Sequence, residues 1–241
     1  MGQNNSTENE KIRINKYLSM LGVCSRREAD RIVEEGRVTV GGEACLPGTK
    51  VSDTDDIKID GRSIKKKDPP VLLRFYKPVG IVCSTKKQFN ETTVTEYIKY
   101  PYRIYPIGRL DKESEGLLLL TNQGDIVNGI LKASAYHEKE YLVTVDKDIT
   151  DEFLRRMSEG VPILGTVTRK CVTARTGKRS FRIILTQGLN RQIRRMCDYL
   201  GYKVIRLKRI RIMEYTLDGL KPGEYEAVPL PDRLQEQSNG K

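Results

Sequence analysis

The sequence of 241 residues predicts an α+β protein with two domains: a small N-terminal α+β domain and a larger domain built on a mixed, mainly antiparallel sheet. Residues 10–66 alternate short helical and extended patterns. The remainder contains many short apolar segments separated by turn residues, with helical segments between them. A content of 38% hydrophobic and 31% charged residues suits a soluble globular protein, and no stretch approaches the roughly 18 apolar residues of a membrane span.

The boundary between the domains is marked by three lysines, Asp68 and two prolines in a row. Prolines favour an extended connection, and adjacent lysines repel each other in a compact turn. We therefore expect a disordered N-terminus at residues 1–9, a first domain at 10–66, a linker at 67–70, a second domain at 71–233 and a C-terminal tail at 234–241.

The first domain has clear helix and turn signals. Apolar residues at helical spacing begin at Ile14, and Ser25 and Glu28 have the spacing of a capping box at the start of a second helix. A short strand at residues 38–40 then leads into Gly41-Gly42, the chemistry of a tight hairpin turn.

The most informative stretch of the second domain is residues 107–121. A charged segment with two glycines leads into an apolar run at residues 117–121 that has the pattern of a buried strand. This places Asp111 in a loop anchored beside a rigid element, a common position for catalytic residues. By themselves, the spacing of these residues favours an ordinary surface loop before a core strand.

Two further segments carry candidate site residues. Tyr141 lies in a predicted strand, where it is either a functional aromatic ring or an ordinary core or edge residue. The predicted helix that begins near residue 192 has an apolar stripe, with Arg194 at its margin and Arg195 nearly opposite. A marginal arginine suits a half-buried ion pair; the alternative is an i,i+4 pair between Arg194 and Asp198.

The charge distribution indicates a polyanionic partner. The formal net charge is +11, and between Arg169 and Arg211 fourteen Lys or Arg accompany one acidic residue, Asp198. A solvated basic face is the simpler interpretation, but a stretch of one sign repels itself without a partner, so a nucleic-acid surface is favoured. Five scattered cysteines and a single histidine predict no metal site and a reducing, cytoplasmic location.

Several motifs resemble those of a known family. Gly108-Arg109-Leu110-Asp111 with the following apolar strand, the Tyr-Lys-Pro-x-Gly run at residues 76–80, Lys139-Glu140-Tyr141 and residues 188–197 resemble RNA pseudouridine synthases of the RsuA/RluB/RluF group. Residues 137–146 and 157–170 look closest to the RluF-type members, which act on large-subunit (23S) ribosomal RNA. The patterns at residues 13–18, 24–29 and 35–40 resemble an S4 RNA-binding domain.

The resemblance implies isomerisation of a specific uridine to pseudouridine in ribosomal RNA, above all 23S, without a metal or cofactor. Asp111 would act as nucleophile or base, Arg194 would pair with its carboxylate and keep it ionised, and Tyr141 would stack on the flipped base. Further arginines would contact RNA: Arg109, Arg26, Arg27, Arg31, Arg37, Arg191 and Arg195. The arginines of the first domain have an alternative, which is pairing with Glu28, Glu34 and Glu35 on a solvated helix face.

Competing functions remain open from the sequence. A non-catalytic S4-type ribosome-assembly factor would need only the basic surfaces, and a synthase of the same group would act on small-subunit RNA or transfer RNA. A glycosidic hydrolase would need a second carboxylate, for which only Glu113 and Glu115 lie nearby in sequence. We expect a cytoplasmic monomer that binds RNA and has no contact with a membrane.

Overall fold

The structure is a computed structural model that describes residues 11–64, 68–84, 90–124, 127 and 136–230. The chain divides into two compact units, Met1–Pro70 and Val71–Lys241. The predicted disorder at residues 1–9 and the tail at residues 234–241 lie outside the described residues. Among the described residues, no helix has the length and apolar character needed to cross a bilayer.

The first unit packs two helices on short strands. Its apolar core includes Leu18, Ala29 and Val38, all fully buried. The Ser25 hydroxyl accepts the Glu28 N–H at 3.1 Å, as the capping signal predicts, but the Glu28 carboxylate binds an arginine of its own helix instead of reaching back. In order, the elements are β1 (Ile12–Arg13), α1 (Ile14–Met20), α2 (Arg26–Glu34), β2 (Val38–Val40), β3 (Glu43–Ala44), β4 (Lys50–Val51), β5 (Ile57–Ile59) and β6 (Arg62–Ser63).

The second unit carries the larger sheet and three helices in its described part. In chain order its elements are β7 (Leu72–Lys77), α3 (Val94–Ile98), β8 (Tyr105–Ile107), β9 (Glu115–Thr121), β10 (Lys139–Val145), α4 (Asp151–Glu159), β11 (Pro162–Ile163), β12 (Thr166–Val167), β13 (Val172–Gly177), β14 (Ser180–Leu185), α5 (Gln192–Tyr199), β15 (Val204–Ile212), β16 (Tyr215–Thr216) and β17 (Tyr225–Ala227).

Within the described residues, nine strands form the main sheet, in the order β13-β14-β10-β15-β9-β7-β17, with β8 on β9 and β16 on β15. All of its strand pairs are antiparallel except the parallel pair of β15 and β9. The sequence prediction of a mixed, mainly antiparallel α+β fold is confirmed. The helices α4 and α5 bury their apolar stripes, including Met157 and Met196, in the core with Val143 and Phe181.

The parallel contact between β9 and β15 is unusually close at one residue. Gly116 has φ +112° and pairs with Arg209 of β15. A Cβ atom on Gly116 would lie 2.2 Å from the Arg209 carbonyl oxygen, so only glycine fits at this crossing. The crossing therefore fixes Arg209 beside the end of the Asp111 loop.

A register shift in the pairing of β10 with β15 determines which side chains share a face. Glu140 pairs with Arg211, and the next residue of β10, Tyr141, pairs with Arg209, so one residue of β15 is left unpaired. The alternate β10 residues Lys139, Tyr141 and Val143 lie on one face of the sheet. Because of the shift, their partners on β15 are Ile212, Arg209 and Leu207, respectively.

We expect Gly116→Ala to lower the free energy of unfolding by more than about 3 kcal/mol, because the positive φ and the backbone overlap add. Gly80→Ala is the matched control, since Gly80 has φ +93° but open space at its Cβ position; it tests the φ strain alone, about 1–2 kcal/mol. Urea denaturation of both variants measures the difference. Equal losses would show that the β9–β15 crossing tolerates a side chain.

Candidate active site

A cavity of about 260 Å³ opens beside the Asp111 loop. Its walls come from five places: residues 107–114, the start of β10, the end of β14, the segment that leads into α5, and β15. Asp111 and Tyr141 both line it, so the structure brings these two predicted residues together. Arg194 and Arg195 are not among the lining residues.

The backbone around Asp111 is held on both sides by neighbouring turns. The Leu110 N–H donates to the Cys83 sulfur at 3.3 Å, and the Gly80 N–H donates to the Lys112 carbonyl at 2.8 Å. Gly80 and Cys83 lie in or just after the turn of the Tyr-Lys-Pro-x-Gly run, which explains why this run accompanies the Asp111 motif. The half-buried Asp111 carboxylate is thus presented from a fixed backbone.

Arg209 is buried, with 3% of its surface exposed, and stabilises the entry to this loop. Its Nε donates to the Leu117 carbonyl at 2.7 Å and its Nη1 donates to the Arg109 carbonyl at 3.3 Å. One guanidinium group therefore joins the loop to the beginning of β9. In the sequence, Arg209 stands out only as part of a basic stretch, because the parallel β9–β15 contact that positions it is not visible there.

Arg194 stabilises the exit of the loop, and its predicted ion pair with Asp111 is not formed in the structure. Its Nη2 donates to the Glu113 carbonyl and to the Ser114 hydroxyl, both at 3.2 Å, while Nη1 donates to the Val204 carbonyl at 3.2 Å. These three acceptors engage both terminal nitrogens, whereas the buried Nε has no hydrogen-bond partner among the described residues, and the alternative pair with Asp198 is also not formed. Its position at the margin of the apolar stripe, as predicted, leads it to backbone oxygens rather than to a carboxylate.

Arg191, and not the predicted Arg194, is the arginine beside the Asp111 carboxylate. Its Nη1 lies 3.7 Å from the Asp111 carboxylate and 2.9 Å from the Glu113 carboxylate. Arg191 immediately precedes α5 and has φ +50°, a conformation that no helical pattern predicts. Its hydrogen bond lowers the pKa of Glu113 and raises its own pKa.

Tyr141 forms another wall of the cavity and is half-buried. On β10 it lies between Ile183 of β14 and Arg209 of β15, so the sheet fixes its backbone on both sides. An aromatic ring in such a wall is a suitable surface for stacking a planar base.

The charge of the cavity is strongly positive. Among the described residues that line it, Asp111 is the one carboxylate, whereas four cations contribute: Arg109, Lys139, Arg191 and Arg209. Glu115 does not line the cavity. It is 8% exposed and accepts hydrogen bonds from Tyr76 and Arg206. Burial alone would raise the pKa of Glu115, but these hydrogen bonds outweigh it and lower the pKa.

Lys77 lies behind the loop as a fully buried cation. Its Nζ donates to the carbonyls of Pro78 at 2.9 Å and Ile81 at 2.8 Å, so it stabilises the turn that holds Asp111. Burial lowers the pKa of Lys77 to about 8, and the charge of Asp111 partly opposes that shift.

The predicted RNA-contacting arginines lie in different surroundings. Arg109 and Arg191 line the cavity, whereas Arg195 is exposed and donates to the Asn190 carbonyl at 3.1 Å. In the first unit, two of the four predicted arginines form ion pairs with carboxylates. Arg31 pairs with Glu28 and Glu35, and Arg37 pairs with Asp60 and Glu35, whereas Arg26 and Arg27 are exposed near the N-terminus of α2.

Comparison with known proteins gives two family matches. A sequence model described as RNA pseudouridylate synthase matches residues 71–199, and one described as S4 domain matches residues 12–57. The solved structure described as a crystal structure of pseudouridylate synthase has a TM-score of 0.67 and 25% sequence identity, over 95% of this chain and 98% of that chain.

Relatives with high identity carry consistent names. The dual-specificity RNA pseudouridine synthase RluF of Salmonella typhi is 54% identical over 88% of this chain and 74% of the relative. The protein of the same name from Escherichia coli K12 is 51% identical over 89% of this chain and 74% of the relative. The ribosomal large subunit pseudouridine synthase B of Bacillus subtilis is 34% identical over 88% and 90%.

Because Arg194 connects the Asp111 loop to β15, we expect Arg194→Met to lower the free energy of unfolding by about 1–3 kcal/mol, since the buried Ser114 hydroxyl and two backbone carbonyls lose their donor. Arg195→Met is the control on the next residue of the same helix; its side chain is exposed, so we expect a change within about 0.5 kcal/mol. Urea denaturation tests both. Equal stability of the two variants would contradict the role of Arg194 as a structural tether.

Proposed function

Because the chain belongs to the RNA pseudouridylate synthase family and contains an S4 domain, we propose that it isomerises a uridine of ribosomal RNA with Asp111 as the catalytic carboxylate. The single observation that carries the assignment of Asp111 is its place in the cavity. It is the one carboxylate among the described lining residues, and it shares the cavity with the Tyr141 ring.

The reaction requires a displaced nucleotide. The N-glycosidic bond of the uridine breaks, the uracil turns, and C5 joins the ribose carbon that N1 has left. Asp111 serves as nucleophile at the sugar carbon or as base for a sugar proton; either role needs an ionised carboxylate. Tyr141 replaces the stacking that the base loses when it leaves the RNA. No redox step occurs, and we propose that no cofactor or metal takes part.

The arginines divide into contact and positioning roles. Arg191, 3.7 Å from the Asp111 carboxylate, favours its ionised form and orients it. Arg194 positions the loop through the Glu113 carbonyl and the Ser114 hydroxyl and does not touch the substrate. Arg109, exposed at the cavity, contacts a neighbouring phosphate or occupies the space of the flipped nucleotide.

RNA on either side of the target is held by basic surfaces. These comprise the stretch from Arg169 to Arg211 and the S4-like domain, which we assign to residues 10–66, with a linker at 67–70 and the catalytic domain at 71–233. Arg26 and Arg27 are exposed candidates in the first domain, and Arg31 and Arg37 would have to exchange their carboxylate partners for phosphates. Such contacts supply affinity and register rather than sequence recognition.

The substrate that we propose is large-subunit (23S) ribosomal RNA. The Bacillus subtilis relative is named for the large ribosomal subunit, and the RluF relatives are named as dual-specificity enzymes, so a second RNA class belongs in the test. We further propose that the protein is a monomer in the cytoplasm. The five cysteines, all within the described residues, form no disulfide, as a reducing compartment favours.

Carbodiimide–primer-extension mapping tests the function and Asp111 together. We expect wild-type protein to produce a new pseudouridine stop in unmodified large-subunit RNA, and Asp111→Asn to produce none while binding the RNA within about threefold of wild type. Glu113→Gln is the matched control, because Glu113 lies two residues away but outside the cavity lining; we expect its activity within about tenfold of wild type.

Other outcomes identify the competing functions. Tight binding without a stop in large-subunit, small-subunit or transfer RNA would indicate an assembly factor. Release of free uracil with loss of activity in both Asp111→Asn and Glu113→Gln would indicate a hydrolase with two carboxylates. Loss of RNA binding in Asp111→Asn would assign Asp111 a structural role.

The stacking role of Tyr141 has its own test. We expect Tyr141→Phe to retain most of the activity, because the ring remains, and Tyr141→Ala to lose about 10–100-fold in kcat/KM, the value of one base stacked on an aromatic ring. Single-turnover rates on the same RNA measure this. A Phe variant as inactive as the Ala variant would assign the role to the hydroxyl group instead.

A further inference from the structure

We propose that Lys139 is a further catalytic residue, whose ammonium group donates a hydrogen bond to a uracil carbonyl and stabilises the negative charge that the ring acquires when the glycosidic bond breaks. The proposal rests on the proposed function, since it requires a uridine in the cavity. It is carried by the position, burial and charge environment of the side chain.

Lys139 and Tyr141 are two residues apart on β10, so they lie on the same face of the strand, and both line the cavity. Glu140 between them points to the opposite face. There its carboxylate pairs with Arg211 at 2.8 Å and Arg182 at 3.4 Å. A base stacked on Tyr141 therefore has the Lys139 ammonium group as a neighbour on the same wall.

The surroundings of Lys139 shield its aliphatic carbons from water and leave its ammonium group available to a ligand. It pairs across the sheet with Leu185 on one side and Ile212 on the other, each 3% exposed. Its Nζ donates to the His137 carbonyl at 3.2 Å, and within the part of the chain that the structure describes no carboxylate forms an ion pair with it. Two further N–H groups of the ammonium remain for a ligand.

The other cations of the cavity are fully buried, paired with carboxylates or exposed. Arg209 donates to two backbone carbonyls, and Arg191 pairs with Glu113 and Asp111. Arg109 is exposed in the loop. Of the four cavity cations, Lys139 is the half-buried one, and it has no carboxylate partner among the described residues. A charge without a counterion in a wall of low dielectric constant acts more strongly on a ligand than a charge in water.

The chemistry of the leaving group calls for such a cation. When the bond between C1′ and N1 breaks, both electrons stay with uracil, and the charge spreads over N1 and the carbonyl oxygens. A preorganised donor that meets charge formed in the transition state lowers the barrier. The bond from C5 to C1′ then forms with an electron pair of the ring, N1 gains a proton, and the hydrogen of C5 leaves to solvent.

Burial lowers the pKa of Lys139 from its usual value, and the neighbouring charge of Arg209 lowers it further. The ammonium form is required, so the rate is expected to fall as pH rises through this lowered pKa. Other titratable or charged groups share the cavity: His137 and Tyr141 of the same segment, Arg209 of β15, Arg109 and Asp111 of the loop, and Arg191 before α5. Their titration is common to the wild type and a Lys139→Arg variant, so the difference between the two profiles belongs to Lys139.

Single-turnover kinetics with full-length protein test the proposal. The probe is a pool of unmodified large-subunit, small-subunit and transfer RNA transcripts labelled with tritium at C5 of uridine, because isomerisation releases this hydrogen to water. We expect Lys139→Met to lower the rate at saturating protein about 100–1000-fold, as for the loss of one charge-stabilising donor, with the RNA Kd within about threefold. Lys221→Met, an exposed lysine outside the cavity lining, is the control and should match wild type.

Lys139→Arg separates the possible roles. It keeps a permanent charge, so we expect a rate within about tenfold of wild type that no longer falls at alkaline pH. An Arg variant as inactive as the Met variant, with a wild-type rate that rises with pH, would make Lys139 a general base and overturn the proposal. A weaker Kd with an unchanged saturated rate would make it a backbone-phosphate contact and also overturn it. Thermal melts confirm that the variants fold.

The proposed function and the role of Lys139 are contradicted by different results. If wild-type protein releases no tritium from any transcript in the pool, the proposed function fails and the role of Lys139 falls with it. If wild-type protein is active and Lys139→Met equals wild type, only the role of Lys139 is contradicted.

Discussion

The close crossing of β9 and β15 at Gly116 is the constraint on which the candidate site depends. It brings Arg209 against the start of β9, where its guanidinium joins the Leu117 and Arg109 carbonyls. Arg194 makes the corresponding connection on the other side of Asp111. A charged loop at the end of a buried strand would otherwise move freely, and a carboxylate displaced by even 1 Å loses much of its catalytic value. Rigid strands, the buried guanidinium group of Arg209 and the half-buried one of Arg194 thus hold a charged loop as a fixed site.

The same sheet supplies the opposing wall. A one-residue register shift between β10 and β15 places Arg209 beside Tyr141 and Ile212 beside Lys139, so a carboxylate, an aromatic ring and a half-buried ammonium group face one cavity. In the proposed mechanism, each contacts a different part of a flipped uridine: the sugar, the face of the base and its carbonyl oxygens. Four cations against one carboxylate also suit a polyanion that carries a base into the cavity.

The fold class, the cavity positions of Asp111 and Tyr141, and the stripe of α5 could be predicted from hydrophobic spacing and motif resemblance. The partner of Asp111 could not. Helical geometry placed Arg194 at the margin of the stripe, but its acceptors are backbone carbonyls of a distant loop, and Arg191 reaches the carboxylate from a left-handed residue that no periodicity shows. Arg209 and Lys139 were missed for a related reason. Their significance comes from strand pairing across long sequence separations, although the two-residue spacing of Lys139 and Tyr141 was a usable signal.

A crystal structure of the Asp111→Asn protein bound to an RNA stem-loop that carries the target uridine would test the central claim most directly. The claim is that one carboxylate and one aromatic wall receive a displaced nucleotide in this cavity. It predicts a flipped uridine with its base stacked on Tyr141, its C1′ beside residue 111 and a carbonyl oxygen within hydrogen-bond distance of the Lys139 Nζ. A uridine that remains stacked in the RNA, or one bound with its sugar away from residue 111, would contradict it.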